Sequence, residues 1–384
     1  ITTHAQETAS GIRVVRAYER GEHEAGRFDA LSIDYYRKSM NLARVQSLMM
    51  PSMTVLFNLS YVIVIAVGGY YVMQNMMSVG DLTQFFIYLN QLLWPIAAIG
   101  WVTSMIQRGA ASMARLGAIM EAPCDVTDPA KPADVEIIGT VEFENVSLSY
   151  NDDVHVLKGI SLVVPKGSSL GIVGAVGSGK SSLIGLLPRL YDVTEGAVRI
   201  DGVDVRQMSL LTLRSSIAVV PQESFLFSDT ILENIRFGRP SATEEEVISA
   251  AVLAQLDEDV RSFPDGYNTV VGERGVTLSG GQKQRTSLAR AIASNPTILI
   301  LDDSLSAIDA ATEDRILHGL DQVMSGRTTF LISHRISTVK RCDNIIVLQD
   351  GEIAERGSHK DLLALDGTYA EMYERQQLEQ QLTS

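Results

Sequence analysis

Between Pro51 and Gln107 a single residue, Asp81, carries a charge. That window limits the possible folds more than any other feature of the chain. Pro51–Gln74 is uncharged and long enough to cross a hydrocarbon layer, which takes about 20 residues. Leu82–Gln107 is a second such stretch. Pro95 lies inside it and predicts a kink whose freed carbonyl is served by neighbouring helices or water. Tyr70, Tyr71 and Trp101 suit the membrane interfaces. Arg37, Lys38 and Arg44 precede the first span, Arg108 and Arg115 follow the second, and the connecting loop Asn75–Asp81 has no Lys or Arg. Basic residues stay on the cytoplasmic side, so both ends are expected there, with a short loop outside.

Ahead of the spans, residues 1–50 read as a helical arm with an imperfect apolar stripe of Ile12, Val15, Phe28, Leu31 and Ile33. Gly11, Gly21 and Gly26 weaken that helix without stopping it, so it is expected to run to Pro51. Its opening reads as the interior of a helical region, as in a fragment or a processed chain. After the spans, residues 121–139 hold three prolines and no hydrophobic period, a linker. From Thr140, alternating stretches such as VEFENVSLSY, Gly-rich turns and helical segments predict an α/β domain ending near Glu374, with QQLEQQLTS as a solvated helix end. The expected layout is a partial membrane domain over 1–120 (arm 1–50, spans 51–74 and 82–107), a linker over 121–139 and a nucleotide-binding domain over 140–384.

Composition removes several alternatives. A hydrophobic content of 46% excludes disorder, and two distant cysteines, Cys124 and Cys342, exclude a disulfide scaffold and suit a reducing compartment. A net charge of −14 argues against nucleic acid as a partner.

Residues 174–181 read GAVGSGKS, between a predicted strand (169–173) and a predicted helix (181–187). The pattern G-x-x-x-x-G-K-[ST] in that context builds a phosphate cradle. Gly174, Gly177 and Gly179 let the backbone curl so that its N–H groups, those of Ser178 and Ser182 included, face an anion at the helix N-terminus. Lys180 is positioned to reach the β- and γ-phosphates of ATP, and Ser181 to offer its hydroxyl to Mg²⁺. ILILDD at 298–303 reads as a buried parallel strand ending in carboxylates, which makes Asp302 a second ligand for the metal.

LSGGQKQR begins at Leu278. In order and spacing with GAVGSGKS and ILILDD, it resembles the signature of the ATP-binding cassette (ABC) family. The motifs cover Thr140–Glu374, and the arm and spans resemble the last third of an ABC exporter's membrane domain. The resemblance implies a helical transmembrane region followed by an α/β phosphate-loop ATPase domain with a helical subdomain. It implies an ATPase of six spans per half-transporter, the first four lying outside this chain, in a membrane such as the bacterial inner membrane, with membrane lipid around it.

Further positions follow from the resemblance one by one. Tyr150 matches the aromatic that stacks on adenine. Gln222 matches a loop glutamine that senses Mg²⁺ and touches the membrane domain. Asp309 matches a loop aspartate at the dimer interface, His334 a switch histidine on the γ-phosphate, and VGERG (271–275) an exporter segment on the coupling helices. Two such domains close on two ATP molecules, and Ser279, Gly280, Gly281 and Gln282 serve the site held by the partner. The implied partner is a second half-transporter, and the implied substrate is an amphiphilic drug, lipid or peptide. A channel or regulator gated by ATP is the alternative.

One position departs from the family pattern. Asp303 stands where Glu usually follows the metal-binding Asp. A carboxylate drawn back by one methylene matters because errors of about 1 Å can cost ~10²-fold in rate. The expectation is a slow site in this chain, a regular signature donated to the partner, and a heterodimer. A homodimer that works with Asp is the other possibility.

Overall fold

The computed structural model describes the chain apart from residues 151–153, 273–277, 305–315, 317, 318, 320 and 384, and apart from the side chains of residues 93, 97 and 380–383. Contacts divide it into two units, Ile1–Ala122 and Pro123–Ser384.

The first unit is helical: α1 (Thr2–Ser10), α2 (Ile12–Ala17), α3 (Gly21–Met73) and α4 (Val79–Met120). The arm is therefore not one helix up to Pro51. It breaks at Gly11 and again before Gly21, where Glu19 adopts a left-handed φ of 53°. Beyond that break α3 runs through Pro51 without ending. Proline removes one N–H bond there. Nearby Ser52 and Thr54 hydroxyls bond back to the carbonyls of Met49 (2.8 Å) and Met50 (3.0 Å).

Both α3 and α4 hold a stretch long and apolar enough to cross a membrane, with almost none of it buried within the chain. Asp81, expected in the connecting loop, sits in the first turn of α4. Its carboxylate accepts from Ser78 N–H (3.1 Å) while its own N–H donates to Ser78 Oγ (3.1 Å), a capping box that starts the helix before Leu82. The two helices meet where Leu82 seats on Gly68 and Tyr61 stacks on Phe86 with ring centroids 5.7 Å apart.

The second unit carries two sheets. Strands β1 (Val141–Ser149), β2 (His155–Val164), β4 (Glu195–Ile200) and β5 (Val203–Asp204) form an antiparallel sheet in the order β2-β1-β4-β5. Strands β3 (Ser169–Gly174), β6 (Ile217–Val220), β7 (Ile298–Asp302), β8 (Thr328–Ile332), β9 (Asn344–Gln349) and β10 (Glu352–Gly357) form the other, in the order β10-β9-β3-β8-β7-β6, parallel except for β10. Among the described residues, the helices of this unit include α5 (Lys180–Gly185), α6 (Leu210–Ser215), α7 (Ile231–Arg236), α8 (Glu244–Leu253), α9 (Asp257–Ser262), α10 (Gly280–Ala293), α11 (Ile336–Val339), α12 (His359–Ala364) and α13 (Thr368–Thr383).

The parallel strands are apolar on both faces because both faces are covered. In β7, Ile298 and Ile300 join a core shared with the antiparallel sheet, while Leu299 and Leu301 join a core shared with α7, α8 and α10. β8 and β9 divide their side chains the same way. This two-sided burial holds the strand ends level: Ile332 of β8 pairs with Ile172 of β3 on one side and with Asp302 of β7 on the other. Whatever follows those three strands emerges at one edge.

Candidate functional site

That edge is where the motifs converge. The turn after β3 carries the glycine loop. Gly174 has a φ of 151°, and a Cβ there would lie 2.2 Å from the Leu348 carbonyl oxygen; at Gly179, φ 97°, a Cβ would lie 2.9 Å from the Val156 carbonyl. Only glycine lets the loop approach its neighbours this closely. A cleft of about 330 Å³ opens beside it, lined by Lys180, Ser181, Gln222, Asp302, Asp303 and His334 among others. Residues distant in sequence thus share one hollow because β3, β7 and β8 end together.

Lys180 is buried, and its ammonium donates to the carbonyls of Gly174 (2.9 Å) and Ala175 (2.7 Å). Burial pushes its pKa below the ordinary lysine value, against the opposing pull of Asp302 and Asp303. Asp302 is held above the ordinary carboxylate range, first by burial; a hydrogen bond with Ser181 works in the other direction. Ser178 Oγ is buried without a partner. A cation on weak carbonyl acceptors, an unpartnered hydroxyl and a cradle closed to any Cβ fit a polyphosphate. The Ser181 hydroxyl beside the Asp302 carboxylate is a hard-oxygen pair of the type Mg²⁺ takes, alongside phosphate oxygens.

Asp303 is buried, with a left-handed φ of 42°, and its N–H donates to the Ile332 carbonyl at 2.9 Å. Aspartate is among the residues that tolerate this conformation. Tyr150 is half-exposed beside α5. Its hydroxyl donates to Ser182 Oγ (3.0 Å), and its ring stands edge-on to Tyr191 at 5.0 Å.

The signature residues do not line this cleft. Ser279 is exposed and caps α10: its hydroxyl accepts from Gln282 N–H (3.2 Å), and the Gln282 side chain accepts from Ser279 N–H (3.0 Å). Among the described residues, nothing takes the hydroxyl proton of Ser279 or the N–H groups of Gly280 and Gly281 at this helix N-terminus. Asp309 and residues 273–275 of VGERG lie outside the described residues; Val271 is buried and donates to the Asp229 carbonyl at 2.8 Å.

Two supporting residues escaped the sequence reading. Tyr191, far from Tyr150 in sequence, braces its ring. Arg290, on the signature helix, donates to the carbonyls of Phe225 (3.0 Å) and Asn234 (2.7 Å) and lies over the rings of Phe227 and Phe237. It ties the stretch after Gln222 to α10. An arginine within a helical pattern reads as a solvated face, and no local signal marks it otherwise.

The family model "ABC transporter" matches residues 157–306, and "ABC transporter transmembrane region" matches residues 1–96. This chain belongs to the ABC transporter family. It is 44% identical over 97% of its length to the "Probable multidrug resistance ABC transporter ATP-binding/permease protein YheI" of Bacillus subtilis (strain 168), spanning 64% of that protein. It is 38% identical over 98% of its length to an "ATP-dependent lipid A-core flippase" of Syntrophus aciditrophicus (strain SB), spanning 63% of it. The solved structure of a bacterial Atm1-family ABC exporter with ATP bound superposes with a TM-score of 0.89 at 38% identity, covering 97% of this chain and 66% of that one. The chain therefore spans slightly less than two thirds of these relatives. Its fold is the expected one, a helical transmembrane region followed by an ABC ATPase domain.

Proposed function

We propose that this chain is the ATP-binding and ATP-hydrolysing part of an ABC exporter subunit, coupling closure of paired nucleotide domains to export of an amphiphilic drug, lipid or peptide. The observation that carries this reading is the single cleft bounded by Lys180, Ser181, Gln222, Asp302, Asp303 and His334. The names of the relatives, a multidrug resistance transporter and a lipid flippase, support an amphiphilic substrate. In this reading the membrane is a bacterial inner membrane and the nucleotide domain lies in the cytoplasm.

The loop backbone and the N-terminus of α5 bind the phosphates. Lys180 exchanges its carbonyl partners for β- and γ-phosphate oxygens, a charge-assisted bond that is stronger than the one it leaves. Ser181, Asp302 and Gln222, which line the same cleft, would hold Mg²⁺. When bound, the ion would neutralise charge on the phosphate oxygens. Tyr150 stacks on the adenine, in an orientation braced by Tyr191. His334 donates to the γ-phosphate, and Asp303 orients the attacking water from one methylene too far away. Hydrolysis at this site is therefore slow. Ser279, Gly280 and Gly281 act in trans on the partner's nucleotide, with a hydroxyl donor and a helix N-terminus. A heterodimer with a Glu-bearing partner fits this asymmetry.

Lys180→Ala is expected to weaken MgATP binding about 10–100-fold, the worth of one charge-assisted hydrogen bond. Equilibrium binding of a fluorescent ATP analogue checks it, and undiminished affinity overturns the reading. In vesicles, ATP-dependent accumulation of substrate distinguishes a pump from a channel, which would show passive conductance gated by ATP.

A further inference from the structure

Helix α13 lies beyond the motifs, yet one of its faces is not solvated. Tyr369, Met372, Tyr373 and Gln376 follow the i, i+3, i+4, i+7 spacing of a single helical stripe. Tyr369 is fully buried, and Met372 and Tyr373 pack against the same core. The Glu355 carboxylate caps the start of the helix, accepting from Thr368 and Tyr369 N–H (2.5 and 3.1 Å). Two turns further on, the stripe ends in a glutamine.

The Gln376 carboxamide spans the turn after β8. Its Oε1 accepts from Ile336 N–H at 2.8 Å, and its Nε2 donates to the His334 carbonyl at 2.6 Å. Only this orientation of the amide satisfies both groups. Ile336 opens α11, whose N-cap residue, Arg335, provides no side-chain cap. Gln376 supplies that cap from another element. One side chain thus grips the backbone on both sides of Arg335, while the His334 side chain lines the cleft.

We propose that Gln376 is the positioning residue for His334, its two hydrogen bonds holding the turn so that the imidazole faces the γ-phosphate. The inference rests on the ATP-hydrolysing role of the cleft. It makes α13 part of the nucleotide site and not a spectator. Within the turn the Ser333 hydroxyl accepts from Arg335 N–H at 3.0 Å, while the His334 carbonyl and the Ile336 N–H are held by Gln376; a displacement of about 1 Å at a reacting centre costs up to ~10²-fold in rate.

The test uses the full-length transporter in vesicles, with Asp303→Glu as the parent so that this site turns over ATP. Gln376→Met keeps the length and apolar stem of the side chain but makes neither bond. Gln376→Glu keeps the shape but cannot donate when ionised. Both are expected to keep the parent's melting temperature, to lower kcat about tenfold or more, and to leave KM for ATP within twofold. His334→Ala should abolish the effect: adding Gln376→Met to it should cause no further loss, since coupled residues are non-additive. Gln376→Met with the parent's kcat overturns the proposal, as does an equal loss with and without His334. Lys180→Ala in the same parent separates the two levels. If it still binds MgATP, or if the parent does not hydrolyse ATP, the reading of the cleft fails beneath the inference.

Discussion

The two units use similar apolar residues in opposite ways. Among the described residues, every buried hydrophobic side chain lies at Ile137 or later, while α3 and α4 leave Val62, Ile63, Ile65 and Ile87 exposed. In the nucleotide unit, apolar side chains leave water by packing on each other. In the membrane unit they are compatible with lipid, which is as apolar as they are. Hence a core side chain there is tied to stability through its neighbours, and a span side chain only weakly so.

The largest effect should come from breaking the packed core. Phe330, fully buried in β8 between β3 and β7, should cost about 3–5 kcal/mol when replaced by alanine. Val62→Ala in α3 should stay within about 0.5 kcal/mol, as an exposed position does. Denaturant unfolding of each variant in detergent checks the pair, and equal losses would remove the distinction between the units.

Next comes a change within the nucleotide unit that leaves packing alone. Asp303→Glu should raise ATP turnover about tenfold or more by bringing the carboxylate forward. The left-handed φ of 42° at this position suits Glu less well than Asp, so a small drop in melting temperature should accompany the gain. Turnover unchanged by the substitution, together with full activity of this chain alone, would discard the slow-site reading and favour a homodimer that works with Asp.

The smallest effect concerns the anchor of α13. Tyr369 bonds to His359 Nδ1 at 2.8 Å, and Tyr369→Phe should cost about 1 kcal/mol. Burial, and then Lys340, hold the His359 pKa below its ordinary 6.5. The unfolded chain therefore binds the proton more readily, so this contribution to stability is present above pH ~6.5 and is lost as the pH falls through the folded value. The melting temperature should drop between pH 7 and pH 5, and by less in His359→Asn.

Much of the site was legible because its chemistry is local. A glycine loop needs a contiguous set of residues to curl around an anion, so GAVGSGKS carries its own geometry. Uncharged runs of span length are equally self-contained, since the bilayer imposes their length. Boundaries were less legible. The helix through Pro51 and the capping box at Asp81 depend on hydrogen bonds that periodicity does not report. Asp309 and most of VGERG fall outside the described residues, so their roles stand as carried by the resemblance.

The sequence by itself determined the two apolar helices, the unbroken apolar run of a strand buried on both faces, and the phosphate loop, because each depends on spacings within a few residues. Only the tertiary structure decided that Asp302 and His334 stand level beside Lys180, that Arg290 binds the stretch after Gln222, and that Gln376 reaches the turn of the switch histidine. Those contacts join segments tens of residues apart. They are set by strand register and by which helix face is buried, quantities that exist only once the chain has packed.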